Sequence, residues 1–491
     1  MSLISTRGGN ALTASQAILR GLADNGGLYA PGAFPVFSLR EIAQMAQVPY
    51  AQRAAQVLAA FLDDYSAQEI AEATRAAYAR FDVPEVAPVR AIAPVTHVLE
   101  LFHGPTLAFK DMALQLLPHL TRLAMDKCGE KRELFVLVAT SGDTGKAALE
   151  GYSGVPGTRC AVFYPVEGVS QAQRLQMVTQ TGENTQVFAV QGNFDDAQTG
   201  VKRLFADEAF VRRMHAQGRV LSSANSINFG RLAPQVAYYF SAYADLVKAG
   251  AVDLGQKVHF VVPTGNFGNI LAAEYARRMG LPVDRLLCAS NSNHVLTDFM
   301  ARGVYDARRP FYQTMSPSMD ILISSNLERL LFELSGREPA TVTAWMRALQ
   351  AGLPYDIGPE RLRALQEVFL GAWADEAQTR AAIADAWQQQ RYLMDPHTAV
   401  AAHALRAYRE RTDDPTPAVI VSTASPFKFG RDVARALLGA DALQGMDDFA
   451  CCALLADTCG TRVPPQIAEL PGKPVLHTRV LAVDEMQSAL G

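Results

Sequence analysis

LFVLVATSGDTGKAALEGY, residues 134–152, decides the fold class. Leu134–Ala139 is an apolar run of strand length. A turn with two glycines follows, Ser141–Gly145, and a helical pattern starts near Lys146. A strand that is apolar at every position, and not only at alternate ones, belongs in a sheet covered on both faces. Similar buried-strand runs followed by a polar or glycine-containing turn and a helical pattern occur at Cys160–Tyr164, Val187–Val190, Val258–Val262 and Ala418–Val421. Strand, loop and helix in repeated alternation predict an α/β fold with largely parallel sheets.

Outward from this region the texture changes. Toward the N-terminus, Ala54, Val57, Leu58, Phe61 and Leu62 are spaced for one helix face. Ser66 and Glu69 have the spacing of a capping box, which opens a further helix through Tyr78. Pro84, Pro88 and Pro94 then end the helical region and place a boundary near residue 95. Beyond about 330 the chain is helix-rich, with helices expected over 340–353, 359–373 and 380–392 and a loop over 413–417.

Composition narrows the function. The chain has 491 residues, with 45 Lys+Arg against 49 Asp+Glu and a net charge of −4. That balance argues against a protein that binds nucleic acid by neutralising phosphates over a broad face. Six cysteines are too few for a disulfide framework, and no Cys/His set has metal-ligand spacing, so no metal is expected. No apolar run approaches the ~20 residues of a membrane helix, and residues 1–16 lack the apolar core of a leader peptide. A cytoplasmic protein, with neither a nucleic-acid nor a membrane partner, is expected.

Several strand ends could hold anions. Ser141–Gly145 precedes a helix, where unpaired N–H groups and the helix dipole favour phosphate or carboxylate. Asp143 would oppose an anion there and reads as a helix cap. A P-loop is rejected, since Thr140 replaces the first glycine and Ala147 the Ser/Thr that holds magnesium. Pro263–Asn269, PTGNFGN, opens a second helix and is not the G-x-G-x-x-G of dinucleotide folds. Ser422–Gly430 and Asn225–Arg231 are further turns of this kind.

Lys110, in HGPTLAFKD (residues 103–111), leads into a pattern that predicts one helix over 112–125. A cation at a helix start is opposed by the dipole. Leu107, Ala108, Phe109 and Met112 would desolvate it as well. Both effects favour the neutral amine, the form that attacks an aldehyde. His397 and His403, six residues apart, share no helix face and read as structural.

HGPTLAFKD resembles the cofactor-lysine motif of the threonine synthase family, pyridoxal-phosphate enzymes of the tryptophan-synthase-β-like fold (fold type II). Residues 5–8 (STRG), 25–29 (NGGLY), 139–145 (ATSGDTG), 225–231 (NSINFGR), 263–269 (PTGNFGN) and 422–429 (STASPFKF) resemble its other signatures, in order. The bacterial and fungal branch is the more similar one. The resemblance implies two open parallel-sheet domains with flanking helices plus the helical N-terminal region. Residues 1–95 would be the N-terminal domain, 96–132 with 225–491 the large cofactor-binding domain with a helical C-terminal part, and 133–224 the small domain.

Carried over by position, Lys110 would form the Schiff base with pyridoxal 5'-phosphate. Gly265, Asn266, Phe267, Gly268 and Asn269 would cradle its phosphate, and Thr423 would meet its ring nitrogen. Ser141, Thr144 and Lys428 would face the substrate's anionic groups, with Arg231 and Lys146 next in line. Ser425, Phe427 and Lys146 depart from the motif's usual residues at the substrate end. The implied activity is a carbon–oxygen lyase acting on phosphates, which converts O-phospho-L-homoserine and water to L-threonine and phosphate. A monomer or weak dimer is expected. A related phospholyase that releases 2-oxobutanoate, and a non-catalytic scaffold of the same fold, are the alternatives. Product analysis separates the first, and the intact lysine and glycine loop oppose the second.

Overall fold

Apolar runs become strands here because both faces of each sheet are covered by helices. The computed structural model describes residues 2–491, so Met1, the first residue of the N-terminal region, lies outside them. The chain begins with a short antiparallel pair, β1 (Leu3–Ser5) and β2 (Tyr29–Pro31). Helices Ala14–Arg20, Leu39–Met45, Tyr50–Ala59 and Ala67–Tyr78 belong to the same region. The capping box at Ser66 is present, with Glu69 N donating to Ser66 Oγ and Ser66 N to Glu69 Oε2.

The strands β3 (Val89–Ala93) and β4 (Thr96–Glu100) follow, then β5 (Glu133–Ala139), β6 (Thr158–Pro165), β7 (Thr185–Val190) and β8 (Arg219–Ser222). Next come β9 (Val258–Pro263) and β10 (Val283–Ser290), and the two-residue pair β11 (Val304–Tyr305) and β12 (Tyr355–Asp356). The last three are β13 (Phe369–Trp373), β14 (Ala418–Ser422) and β15 (Val480–Leu481). The larger sheet has the order β13-β10-β9-β14-β4-β3, and the smaller β15-β7-β6-β5-β8. All pairs in both sheets are parallel except β3 with β4. This is the α/β class with two open sheets.

Some boundaries differ from the sequence reading. The strand β3 precedes residue 95 yet pairs with β4, so the large sheet starts inside the region taken as N-terminal. The C-terminal β15 pairs with β7 in the small sheet, although 225–491 was assigned to the large domain. The expected helix over 359–373 divides into helix Pro359–Gln366 and β13. Phe369–Trp373 is too short for its apolar residues to separate helix from strand by period. Gly371 is the cue in it, since a Cβ there would stand 2.7 Å from Thr297 Cα. The helix expected over 112–125 is two, Asp111–Leu114 and Leu117–Cys128, with Pro118 in the first turn of the second.

One helix joins the parts. Phe229–Lys248 is buried over nearly its whole length and packs on Gly268–Arg278 of the large domain and on Tyr50–Ala59 and Leu39–Met45 of the N-terminal region. Two partly buried ion pairs pin that region. Arg7 grips Glu328 through Nε and Nη2 at 2.9 and 2.7 Å, and Arg53 Nη1 meets Asp245 at 2.7 Å. The STRG and NGGLY stretches therefore serve the fold: the Thr6 hydroxyl also donates to Glu328, and the Leu28 amide donates to Thr6 Oγ1.

Candidate active site

Ligand clefts in open parallel sheets form at the carboxyl ends of the strands. Here β4, β9 and β14 of the large sheet end beside the loop after β5 of the small one. The chain leaving β4 folds back on the chain leaving β14. Phe109 N donates to Thr423 O at 2.8 Å and Ser425 N to Leu107 O at 3.0 Å. Asp111 closes the turn by accepting from the Thr106 amide and hydroxyl, both at 2.8 Å. Burial pushes its carboxyl up to about 6 against the pull of these bonds. Gly104 has no room for a side chain, because a Cβ would lie 2.5 Å from Asp111 Cβ. Lys110 is thereby fixed in the cleft, with its side chain 11 % exposed.

The Lys110 amine lies 3.2 Å from Ser318 Oγ and 3.4 Å from Asp143 Oδ2. Its pKa is lowered, first by burial, while Asp143 pulls it up and Lys428 and Arg231 push it down. The direction agrees with the sequence argument, but one of the two causes given there fails. The helix that Lys110 caps, Asp111–Leu114, is a single turn with little dipole.

The strand β9 runs into Thr264–Phe267 and then helix Gly268–Arg278. Phe267 takes a left-handed φ of 63°, which turns the chain into the helix. Among the described residues, the amides of Gly265 to Ile270 donate to no protein group. The loop is braced from outside. Ser324 Oγ donates to Gly265 O at 2.6 Å, and Asn326 donates through N and Nδ2 to Asn266 O at 3.1 and 2.9 Å. A Cβ on Gly265 would stand 2.6 Å from Ser318 O. Asn269 Nδ2 is buried without a partner among the described residues, while Oδ1 accepts from Tyr238 and Tyr239. A run of free amides at a helix start binds phosphate, and a buried amine beside it adds to an aldehyde. The residues fit a phosphorylated aldehyde. Thr423, one residue past β14 and buried, completes this wall.

The smaller sheet supplies the loop between β5 and helix Asp143–Tyr152. Thr140 Oγ1 accepts from the Gly142 and Gly145 amides at 3.0 and 2.9 Å. This leaves the Ser141, Asp143 and Thr144 amides free among the described residues. Ser141 and Thr144 are half-buried at this helix start. Asp143 is no cap: Gly142 takes that position and no side chain caps the helix. The Asp143 carboxylate instead accepts from Lys428 Nζ at 2.7 Å and Gln173 Nε2 at 2.9 Å. Burial alone would raise its pKa, but the two ammonium groups and these bonds hold it below the usual carboxylate range.

Lys428, expected at the substrate, is fully buried, and its amine is spent on Asp143 and on Thr106 O at 2.8 Å. Lys146 is likewise engaged, with Glu150 and Gln180. Arg231 is different. It is buried on helix Phe229–Lys248, its Nη1 donates to Ala224 O at 2.7 Å, and its Nε has no partner among the described residues. Among the described residues it forms no ion pair, and burial lowers its pKa to about 10. A buried cation without a carboxylate is costly unless an anion arrives.

His397 also does more than fill space. It accepts from the Ser318 amide at 3.2 Å through Nε2 and meets Asp395 Oδ1 at 2.8 Å through Nδ1. It thus fixes the segment that touches both Lys110 and Gly265. One carboxylate–imidazole cluster, His259 with Asp284 and Asp414, lies near the amino ends of β9 and β10, away from this cleft, and Lys257 and Arg285 also face Asp284.

Three family models match the chain in order: Threonine synthase N terminus over residues 2–78, Pyridoxal-phosphate dependent enzyme over 91–424, and Threonine synthase, C-terminal, over 398–484. A threonine synthase of Pseudomonas aeruginosa is 41 % identical over 447 residues, which cover 89 % of this chain and 91 % of the relative. The human threonine synthase-like 1 is 42 % identical over 436 residues, 86 % of this chain, and the chain spans only 58 % of that relative's length. Among solved structures, the PLP-bound threonine synthase of Brucella melitensis matches with a TM-score of 0.88 at 36 % identity, over 100 % of this chain and 98 % of the other. The yeast threonine synthase matches with a TM-score of 0.88 at 29 % identity over the same shares.

Proposed function

The chain belongs to the threonine synthase family of pyridoxal-phosphate-dependent enzymes, and from that premise we propose that it converts O-phospho-L-homoserine and water into L-threonine and phosphate. The observation that carries this reading is a buried amine, Lys110, set beside a run of free amides over residues 265–270 and a buried, unpaired arginine. Bound pyridoxal phosphate supplies an electron sink for charge that develops on substrate carbon.

The chain's own residues do the rest. The Gly265–Asn269 amides would hold the cofactor phosphate. The Thr423 hydroxyl would serve the ring nitrogen as a neutral hydrogen-bond partner. Lys110 would hold the cofactor and would carry protons to and from the substrate. A lysine with a lowered pKa changes protonation within one cycle more readily than a free one. Ser141 and Thr144, with their free amides, receive the substrate carboxylate. Arg231 receives the γ-phosphate, and charge grows on the bridging oxygen as that group leaves, so a cation aimed there speeds the step more than it tightens binding. This moves the phosphate contact from Lys428, which is occupied, to Arg231. Six free cysteines support a reducing, cytoplasmic setting.

The test is direct. Purified protein mixed with pyridoxal phosphate should gain a visible absorption band that borohydride fixes onto Lys110, and phosphohomoserine should yield threonine with one equivalent of phosphate. Release of 2-oxobutanoate in place of threonine would assign the chain to phospholyase chemistry.

A further inference from the structure

Three charged side chains act on the Lys110 amine: Asp143, in direct contact at 3.4 Å after β5, and Lys428 and Arg231 through their charge. Asp143 divides its two oxygens between different tasks. Its Oδ1 accepts from Lys428 at 2.7 Å and from Gln173 at 2.9 Å, whereas Oδ2 is directed to Lys110 at 3.4 Å. A helix cap would turn an oxygen to the helix amides, and none does so. A brace between domains would need only the Lys428 contact. Lys428 in turn forms its one ion pair with Asp143 among the described residues: its side chain has no exposure, its other bond is to the Thr106 carbonyl, and its charge reaches the buried Asp111 carboxyl without a direct contact. A carboxylate buried this deeply without such a partner would take up a proton.

We propose that Asp143 is a catalytic residue: its carboxylate, kept ionised by Lys428, holds the proton on the Lys110 amine whenever that amine is free of covalent bonding. The proposal rests on the role given above to Lys110. One proton moves from substrate carbon onto Nζ and the same proton returns to the substrate later, while Asp143 stays a carboxylate throughout. Lys428 sets the strength of the effect. With its ammonium in place, Asp143 favours a proton on Lys110 without trapping it there; without that ammonium the full carboxylate charge would act on Lys110. Because Asp143 rides on the small domain, the arrangement is complete only while the two sheets sit as they do here.

The experiment reads Lys110 itself in the cofactor-free full-length chain, by competitive acetylation across pH with mass-spectrometric detection of the labelled lysine. Asp143→Asn should lower the Lys110 pKa by at least one unit, a tenfold rise in free amine below that pKa. Lys428→Met should raise it. A pair that merely braces the fold behaves otherwise: either substitution loosens the cleft, water enters, and both raise the pKa toward the ordinary value. Asp143→Asn strands the buried Lys428 ammonium, so where that variant does not fold, Lys428→Met is compared with the double variant Asp143→Asn/Lys428→Met. The double variant must have the lower Lys110 pKa. A Lys110 pKa unchanged or raised on loss of Asp143 overturns the proposal. Failure of the wild-type chain to form the borohydride-fixed cofactor adduct would overturn the proposed function and leave the labelling result standing.

Discussion

Gly265→Ala changes one hydrogen to a methyl group in the loop proposed to cradle the cofactor phosphate. The added Cβ would stand 2.6 Å from Ser318 O and 3.3 Å from Met319 Cα, both backbone atoms. Neither neighbour yields easily. The Ser318 amide is held by His397 at 3.2 Å and its hydroxyl accepts from Lys110, while the Gly265 carbonyl is held from the other side by Ser324 at 2.6 Å. The φ of Gly265 is not positive, so the cost is steric and not conformational. Relief requires the loop or the 317–319 turn to move by several tenths of an ångström, which misaims the free amides. Overpacking of this kind costs about 1–3 kcal/mol. If that cost falls on the holo form, cofactor affinity drops by ~5- to 150-fold. The assay is titration of cofactor-free protein with pyridoxal phosphate, read by the absorption band, with circular dichroism to show that the fold persists. An alanine variant that binds the cofactor as tightly as wild type would refute the cradle geometry.

Lys110→Ala should lose the borohydride-fixed adduct and all threonine formation while its circular dichroism spectrum stays native; measurable turnover would remove Lys110 from its role. Thr423→Val, which keeps volume and removes the hydroxyl, should weaken cofactor binding or slow turnover by about the 0.5–1.5 kcal/mol of one hydrogen bond, and unchanged values in both would mean that another group meets the ring nitrogen. Arg231→Met should lower kcat/KM for phosphohomoserine by about 2–5 kcal/mol, ~30- to several-thousand-fold, with the cofactor band intact, and wild-type kinetics would place the phosphate elsewhere. His103 is raised to about 9: burial pulls its pKa down, but Asp82 and Glu100 outweigh it. Its contribution to stability is therefore complete below the ordinary value of 6.5 and is lost as pH rises through about 9. Thermal melts should show stability falling between pH 7 and 9 in wild type and a flatter profile in His103→Leu, and identical profiles would contradict the assignment.

Elements were legible where one physical signal dominated. Leu134–Ala139 is apolar at every position and Val258–Val262 at all but His259; each ends in a glycine-containing turn, and both are strands. Phe369–Trp373 was not, because four apolar residues around Gly371 after a true helix satisfy either period until the partner strand β10 is known. The buried lysine and the loop of free amides were readable because each segment is local in sequence. The ion pairing of Lys428 and Asp143 was not, because these charges are balanced by partners distant in the chain. Nothing near Asp143 announces Lys428. The clue in PFKF is a lysine between two aromatic residues after a proline, a setting that favours burial over contact with a soluble ligand. Arg231 carried the signal that singled out Lys110, a cation at a helix start beside Phe229 and Leu232. The same test applied there would have found it.

The pairing of β15 with β7 bears on how the molecule avoids its own kind. A parallel sheet ends in strands whose outer N–H and C=O groups are open to any extended chain that comes by, and β7 reads TQVFAV, residues 185–190, with no charge in it. Two residues, Val480 and Leu481, lie against this margin, and the bonds from Ala189 N to Arg479 O and from Gln191 N to Leu481 O fasten them there. The chain's last segment thus occupies a place that a second molecule could otherwise take. Removal of residues 474–491 should leave the cleft standing and yield a chain that associates through its smaller sheet, at a rate that rises with concentration.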